Sequence, residues 1–240
     1  MSTVRWSPSS AVLLPTVAIV GAGPLGRWLA LSAARAGFRV LLEDVMPLNL
    51  RHAQEYIRQQ LGPASQGSPD TVLKGHGLSR ANEPPKQAGD LAPEECHSDI
   101  LAPDESAPGF GLSKIAFVST IEDAVRQADL VIDCVPDELE SKLEILWLLD
   151  RMAPPRTVLA TPTMRLSIAD LANCTYRPEK VIAIGAEACS LAGSPVPAAS
   201  AGSGILLRTT ARTSPETVAL LRLFWEHLGF SPVFEMEAAG

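Results

Sequence analysis

A glycine-rich turn between an apolar run and a helical pattern constrains the fold more than any other feature of this sequence. The turn reads Gly21-Ala22-Gly23-Pro24-Leu25-Gly26. The apolar run 16–20 before it predicts a buried strand, and a helical repeat of apolar residues after it predicts a helix over 24–36. Gly37 ends that helix, and a second apolar run follows at 38–43. A strand, a tight turn, a helix and another strand in this order build a parallel sheet with helices on its faces.

The same alternation continues along the chain after one interruption. Further helices are predicted over 47–61, 121–128, 138–152, 167–173 and 215–228. Further strands are predicted over 115–118, 130–135, 157–161, 181–185 and 232–235. We therefore predict an α/β fold, a Rossmann-like, doubly wound and mostly parallel sheet, in a single domain that spans residues 1–240.

The interruption is a segment rich in proline and glycine over residues 62–113. It holds 7 Pro and 7 Gly in 52 positions, which is near the composition at which chains stop packing a core. We predict an irregular insertion within the domain, and two interpretations stay open: a lid or partner-binding arm, and an insertion without a function. Cys96 and His97 are neighbours within it, but no further ligands stand at metal-site spacing, so no metal site is predicted.

Charge and hydropathy exclude several classes of function. The chain has 20 Lys and Arg against 27 Asp and Glu, for a formal net charge of −7, and its basic residues form no cluster. Nucleic-acid binding needs concentrated positive charge, so we expect no nucleic-acid partner. The apolar stretch 11–20 is broken by Pro15 and is too short to cross a bilayer of about 30 Å. We therefore expect no membrane partner. With only four cysteines and no C-x-x-C pair, we expect a cytoplasmic location.

The glycine-rich turn is a G-x-G-x-x-G motif in the strand-to-helix setting that binds dinucleotides. Gly21 permits the tight turn, Gly23 lets a pyrophosphate approach the backbone, and Gly26 lets the helix lie close to the strand. The helix N-terminus contributes N–H groups and the positive end of its dipole. Because Pro24 has no N–H, Leu25 and Gly26 are the expected donors. The alternative is a glycine-rich turn that binds no ligand.

Asp44 selects the nucleotide in this interpretation. It ends the second strand, 18 residues after Gly26, where a carboxylate accepts the ribose hydroxyls of an adenosine and repels a 2′-phosphate. The motif therefore predicts NAD rather than NADP as the cofactor.

A collinear series of segments resembles the NAD-binding domain of the 3-hydroxyacyl-CoA dehydrogenases. The matching segments are 17–23, 129–142, 159–161, 166–168, 177–180 and 213–218. By this resemblance, Asp137 stands where the family has a Glu near the nicotinamide ribose, and Lys142 stands where a Lys helps to hold the cofactor. The alternative is that Asp137 only begins a helix and that Lys142 is a solvated side chain.

The resemblance breaks at the residues that carry the family's chemistry. The family oxidises a 3-hydroxyl with a His that takes its proton, a Glu that orients the His, and Ser and Asn that polarise the oxygen. In this sequence those positions hold Gly185 for the His, Leu206 for the Glu, Met164 for the Ser, and Ala188 and Pro162 for the two Asn. We predict no catalytic residue at these positions. The family also continues into a helical domain that completes the acyl-CoA site and the dimer, and with the sequence ending at Gly240 we expect half a substrate pocket.

Three hypotheses for function follow. The first is an NAD(H)-binding protein that is inactive or altered in the dehydrogenase reaction and that senses or scaffolds. The second is an NAD-dependent oxidoreductase for a different hydroxy or oxo substrate, with Glu187 as its base. The third is an interaction module that uses the 62–113 insertion as a docking arm. An acyl-CoA-like ligand, a protein partner and a homo-oligomer all stay open.

Overall fold

The computed structural model describes residues 14–61, 114–185 and 204–237. The insertion 62–113, with Cys96 and His97, lies outside the described residues. So does the segment 186–203, with Glu187 and Ala188. The predictions made for these segments stay predictions.

Eight strands form one mixed sheet in the order β3-β2-β1-β4-β5-β6-β7-β8. Their bounds are β1 Thr16–Val20, β2 Arg39–Glu43, β3 Ile115–Val118, β4 Leu130–Asp133, β5 Val158–Pro162, β6 Val181–Gly185, β7 Gly204–Thr209 and β8 Ser231–Met236. Neighbouring strands run parallel throughout except for β6 and β7, which are antiparallel. The predicted Rossmann-like α/β class is confirmed.

Helices cover both faces of this sheet. Their bounds are α1 Pro24–Arg35, α2 Pro47–Leu61, α3 Ile121–Val125, α4 Leu139–Met152, α5 Ile168–Asn173 and α6 Pro215–His227. One apolar cluster joins α1, α2 and α6 to one face, and a second joins α3, α4 and α5 to the other. Because successive side chains of a strand point to opposite faces, the central strands are apolar on both sides, which accounts for their unbroken apolar runs.

Local capping explains why most helices begin and end where the sequence predicts. The hydroxyl oxygens of Thr120, Ser167 and Ser214 each accept a hydrogen bond from the N–H three residues later, which satisfies one otherwise unpaired donor per helix. Gly37 and Gly229 follow α1 and α6 with φ of 102° and 88°, a backbone conformation that favours glycine.

Two predicted boundaries are wrong by two or more residues, and one strand was not predicted. Helix α3 ends at Val125 rather than at 128, because the chain turns there and Asp129 already pairs with the start of β1. Strand β4 ends at Asp133 rather than at 135. No strand was predicted over Gly204–Thr209, yet these residues form β7. Its buried side chains alternate at Ile205, Leu207 and Thr209, a short signal that follows a run of small residues.

Within the three described ranges, no helix combines the length and the apolar character that crossing a membrane requires.

Candidate functional site

The candidate site lies where the order of the strands reverses. Strand β1 pairs with β2 on one side and with β4 on the other, so the connections leave in opposite directions. In open parallel sheets, ligands bind outside the carboxyl ends of the strands at such a point. The N–H of Cys134 donates to the carbonyl oxygen of Val20 at 2.7 Å and ties the two loops together. We call the space between residues 21–23 and residues 134–138 the switch crevice.

The glycine-rich turn closes tightly at its first and last glycines. Gly21 has a φ of 102°, and its N–H donates to the carbonyl oxygen of Glu43 at 2.8 Å. A Cβ added to Gly26 would lie 1.8 Å from the carbonyl oxygen of Gly21, so only glycine permits helix α1 to start this close to β1. These two glycines perform the structural roles that the motif predicts.

Gly23, in contrast, faces open space. A Cβ added there would meet no atom of the described residues within 4 Å. No side chain of the described residues caps the N-terminus of α1, and the first helical hydrogen bond runs from the Arg27 N–H to the Gly23 carbonyl oxygen at 3.0 Å. The N–H groups of Leu25 and Gly26 therefore have no carbonyl partner within the helix. Space beside an uncapped helix N-terminus fits a pyrophosphate.

The carboxylate of Asp44 is buried against the same turn. Its Oδ2 accepts the N–H of Ala22 at 2.8 Å, and its Oδ1 accepts the N–H of Met46 at 2.8 Å. The side-chain Nδ2 of Asn49 lies 3.1 Å from both oxygens. The structure thus brings Asp44 beside the glycine-rich turn, as the motif predicts. Asn49 was missed, although its place in the first turn of α2, five residues after Asp44, is a signal that could have indicated it.

Large apolar side chains are exposed in the segment that directly follows Asp44. Val45 is 70% exposed, and Met46 and Leu48 are each 56% exposed. Large apolar side chains clustered at a surface mark contact sites more often than scattered ones do. This apolar patch, Val45, Met46 and Leu48, provides a surface for a flat, weakly polar group next to the carboxylate.

Glu43, the last residue of β2, is a buried acid next to Asp44. It is 1% exposed, and its Oε1 has no hydrogen-bond partner among the described residues. Burial, reinforced by the negative charge of Asp44, raises the pKa of Glu43 to about 7. The sequence prediction treated Glu43 only as part of an apolar run.

Asp137 lies at the other side of the switch crevice and joins two loops. Its Oδ2 accepts the N–H of Met164 at 3.5 Å, and its carbonyl oxygen accepts a hydrogen bond from Arg165 at 3.3 Å. Its Oδ1 is buried without a partner among the described residues. Glu138, not Asp137, precedes the first residue of α4 as the N-cap. Asp137 is therefore placed between the loops after β4 and β5, and its cofactor role stays a prediction.

Lys142 is fully buried, so its interpretation as a solvated side chain is wrong. Its Nζ donates to Oδ1 of Asp133 at 2.5 Å, and both side chains are 0% exposed. Burial raises the pKa of Asp133, and the Lys142 ammonium offsets part of that rise. Asp133, the last residue of β4, is a residue that the sequence prediction did not single out.

Four of the positions that the resemblance aligns with the family's catalytic groups lie in the described residues, and all four hold apolar residues. Gly185 ends β6 and pairs directly with Leu206 on β7. A Cβ added to Gly185 would lie 3.1 Å from Cγ and Cδ2 of Leu206. Pro162 ends β5, and Met164 is 46% exposed in the following loop. None of these four side chains can exchange a proton.

The comparison with protein families decides the relationship of this chain. The model described as "3-hydroxyacyl-CoA dehydrogenase, NAD binding domain" matches residues 16–74 and 98–185, more than half of the chain. The chain belongs to this family. The resemblance drawn from the sequence is confirmed, and NAD is the cofactor of this NAD-binding domain family.

Individual relatives agree with this membership. A probable 3-hydroxybutyryl-CoA dehydrogenase of Bacillus subtilis is 28% identical over 166 residues, which are 69% of this chain and 46% of that protein. A 5-formyl-3-hydroxy-2-methylpyridine 4-carboxylate 5-dehydrogenase of Mesorhizobium japonicum is 25% identical over 92% of this chain and 57% of its own length. The chain thus spans about half the length of these curated relatives.

A solved structure supports the fold. The (S)-3-hydroxybutyryl-CoA dehydrogenase of Ralstonia eutropha superposes with a TM-score of 0.67 at 19% identity, over 94% of this chain and 64% of that one. At this identity the likeness shows the Rossmann-like fold.

Proposed function

We propose that this chain binds NAD(H) in the switch crevice and does not carry out the acid–base oxidation of 3-hydroxyacyl-CoA, and that it acts as an NAD-responsive sensor or scaffold. The observation that carries this proposal is the pairing of Gly185 with Leu206. At the positions where the family has a base and its orienting acid, this chain has a hydrogen atom and an isobutyl group.

The residues around the crevice fit the cofactor. The backbone at Gly23 and the N–H groups of Leu25 and Gly26 would hold the pyrophosphate, with Gly21 shaping the turn. The carboxylate of Asp44 would accept the adenosine ribose hydroxyls, and the apolar patch beside it would cover the adenine. When bound, NAD supplies a hydride acceptor; the chain itself binds and orients it.

Asp137 and Lys142 would act on the nicotinamide side of the crevice. The Oδ1 of Asp137, which has no hydrogen-bond partner within the described ranges, is an acceptor that a ribose hydroxyl can satisfy. Lys142 would act indirectly, because its ammonium is held by Asp133. We therefore propose Asp137 as a cofactor ligand and Lys142 as a positioning residue.

The proposed lack of turnover follows from the need for a group that accepts the proton of the hydroxyl. Oxidation of a hydroxyl requires a group that takes its proton while hydride leaves. A missing general base reduces the rate by about 10²- to 10⁴-fold, and the remaining members of a catalytic group do not restore it. Gly185 and Leu206 offer no replacement.

Two measurements on the purified chain test the proposal. Calorimetric titration should show NADH binding with a Kd of about micromolar, with NADPH binding more weakly because Asp44 repels the 2′-phosphate. Incubation of the NAD-saturated chain with a 3-hydroxyacyl-CoA thioester should produce no NADH above the buffer control. Failure to bind either nucleotide would remove the first half of the proposal. Steady NADH formation would remove the second half and would favour the oxidoreductase hypothesis, with Glu187 as its base.

A further inference from the structure

We propose that the side-chain amide of Asn49 occupies the ribose-binding edge of Asp44 and is displaced when the cofactor binds, so that Asn49 sets the affinity of the site for adenine nucleotides. This inference rests on the proposed NAD(H) binding and adds a residue that determines its strength.

The position of the amide is the first argument. Asn49 Nδ2 lies at the same distance, 3.1 Å, from Oδ1 and Oδ2 of Asp44. An equal distance to both oxygens places the nitrogen in front of the carboxylate, on the edge that the two oxygens share. A ribose diol that donates one hydroxyl to each oxygen takes the same edge, because its two donors must also face both oxygens at once.

The other acceptor positions of Asp44 are already filled. A carboxylate has about four positions for hydrogen-bond donors. Backbone N–H groups of Ala22 and Met46 take one position on each oxygen, both at 2.8 Å. The amide of Asn49 occupies the remaining acceptor position on each oxygen. The ribose diol and this amide therefore cannot both make two hydrogen bonds to Asp44 at the same time.

Only Asn49 is free to leave. The Ala22 N–H belongs to the glycine-rich turn, and the Met46 N–H belongs to the backbone before α2, so neither moves without the chain. Asn49 is half-exposed in the first turn of α2, and its side chain can rotate into solvent. A buried carboxylate needs its donors, and the amide supplies them until the ribose does.

The proposal predicts that removing the amide tightens binding. Without the Asn49 amide, the edge that the two Asp44 oxygens share has no side-chain donor in the free protein. The ribose hydroxyls then form their hydrogen bonds to Asp44 without first breaking those of Asn49, so binding is more favourable. Asn49→Ala should lower the Kd for NADH by about three- to tenfold, measured by calorimetry on the full chain. Gln59→Ala, a change at an exposed amide on the same helix, should leave the Kd unchanged. An equal or higher Kd for Asn49→Ala would overturn the proposal.

A comparison of ADP with 2′-deoxy-ADP separates displacement from a general effect on the site. In the wild type, Asn49 can keep one bond to Asp44 when the nucleotide offers a single hydroxyl, so loss of the 2′-hydroxyl costs little. In Asn49→Ala no amide is present to replace the missing hydroxyl. The preference for ADP over 2′-deoxy-ADP, measured as the ratio of their Kd values, should therefore rise about threefold or more. An unchanged preference would count against displacement.

The side-chain amide signal of Asn49 gives a direct readout. In ¹⁵N-labelled protein this signal is assigned by its absence from Asn49→Ala, and saturating NADH should move it towards the position of a solvated amide. A signal that stays in place with NADH bound would overturn the proposal. If the wild type binds no nucleotide at all, the proposed function fails, and the variant still decides this inference: binding that appears in Asn49→Ala supports it, and continued absence overturns it.

Discussion

Leu206 lies directly opposite Gly185, and its side chain takes up the space that a side chain at position 185 would need. The two residues are paired across antiparallel strands β6 and β7, and an added Cβ at 185 would come within 3.2 Å of three atoms of Leu206. The pairing also supports the sequence alignment, since the positions assigned to the family's base and its orienting acid are neighbours in this structure. Gly185 and Leu206 therefore form one packed contact.

This contact predicts a stability difference between two glycines of the same sheet. Gly185→Ala should lower the free energy of unfolding by about 1 kcal/mol, because Leu206 must move aside. Gly204→Ala is the matched control, since a Cβ there meets only the carbonyl oxygen of Ser231 at 3.9 Å. Urea unfolding measures both. Adding Leu206→Ala should remove the penalty at Gly185, and an unrelieved penalty in that double variant would contradict the packing argument.

Alanine substitutions at two glycines of the glycine-rich turn should affect different properties, folding at Gly26 and cofactor binding at Gly23. Gly26→Ala should prevent the turn from closing and abolish cooperative unfolding, because the new Cβ would overlap the Gly21 carbonyl oxygen at 1.8 Å. Gly23→Ala should unfold like the wild type and bind NADH about tenfold or more weakly, because its methyl group fills only the ligand space. Thermal unfolding and calorimetry separate the two. Wild-type affinity in Gly23→Ala would show that the pyrophosphate lies elsewhere.

The buried pair of Lys142 and Asp133 predicts a large loss of stability when it is broken. Lys142→Met leaves Asp133 buried without its partner and should cost about 3–5 kcal/mol in urea unfolding at pH 8. Lowering the pH to 5 should reduce this loss, because a protonated carboxyl is more easily buried. Arg126→Met, which breaks an exposed pair with Glu122, should change stability by less than about 1 kcal/mol. A pH-independent loss at Lys142 would argue against an isolated charge as its cause.

Replacing the buried acid Glu43 by glutamine should stabilise the protein by an amount that depends on pH. The Glu43 pKa of about 7 in the folded protein lies above its ordinary value, so the folded state binds the proton more tightly than the unfolded state. The wild type should therefore lose stability as the pH rises from about 4.5 to 7, and the uncharged Glu43→Gln escapes that loss. We expect Glu43→Gln to be more stable by at most about 3 kcal/mol at pH 8 and nearly equal to the wild type at pH 4.5.

Glu55→Gln provides the control for this measurement, because Glu55 is exposed on α2. Thermal unfolding across the pH range should show no pH-dependent gain for Glu55→Gln. An equal gain in both variants would mean that net charge, rather than the burial of Glu43, is responsible.

Much of the fold follows from local signals. The turn Gly21–Gly26 with the apolar runs on either side predicts the β1, α1 and β2 unit, and Ser214 and Gly229 predict both ends of α6. Such signals depend on neighbouring residues, so they can be recognised along the chain. Strand β7 escaped prediction because its partners, β6 and β8, are distant in sequence, and its short alternation becomes decisive only when they flank it.

The sequence by itself determined the α/β class, the glycine-rich turn, the carboxylate at the end of β2 and the apolar character of positions 185 and 206, which the resemblance aligns with the family's base and its orienting acid. Only the tertiary structure decided which side chains pair, hydrogen-bond and pack with one another around these features. It buried Lys142 against Asp133, placed Asn49 on both oxygens of Asp44, and set Leu206 opposite Gly185. These relationships depend on which side chains share a low-dielectric or closely packed space, and that is a property of strand order and helix placement rather than of any local pattern.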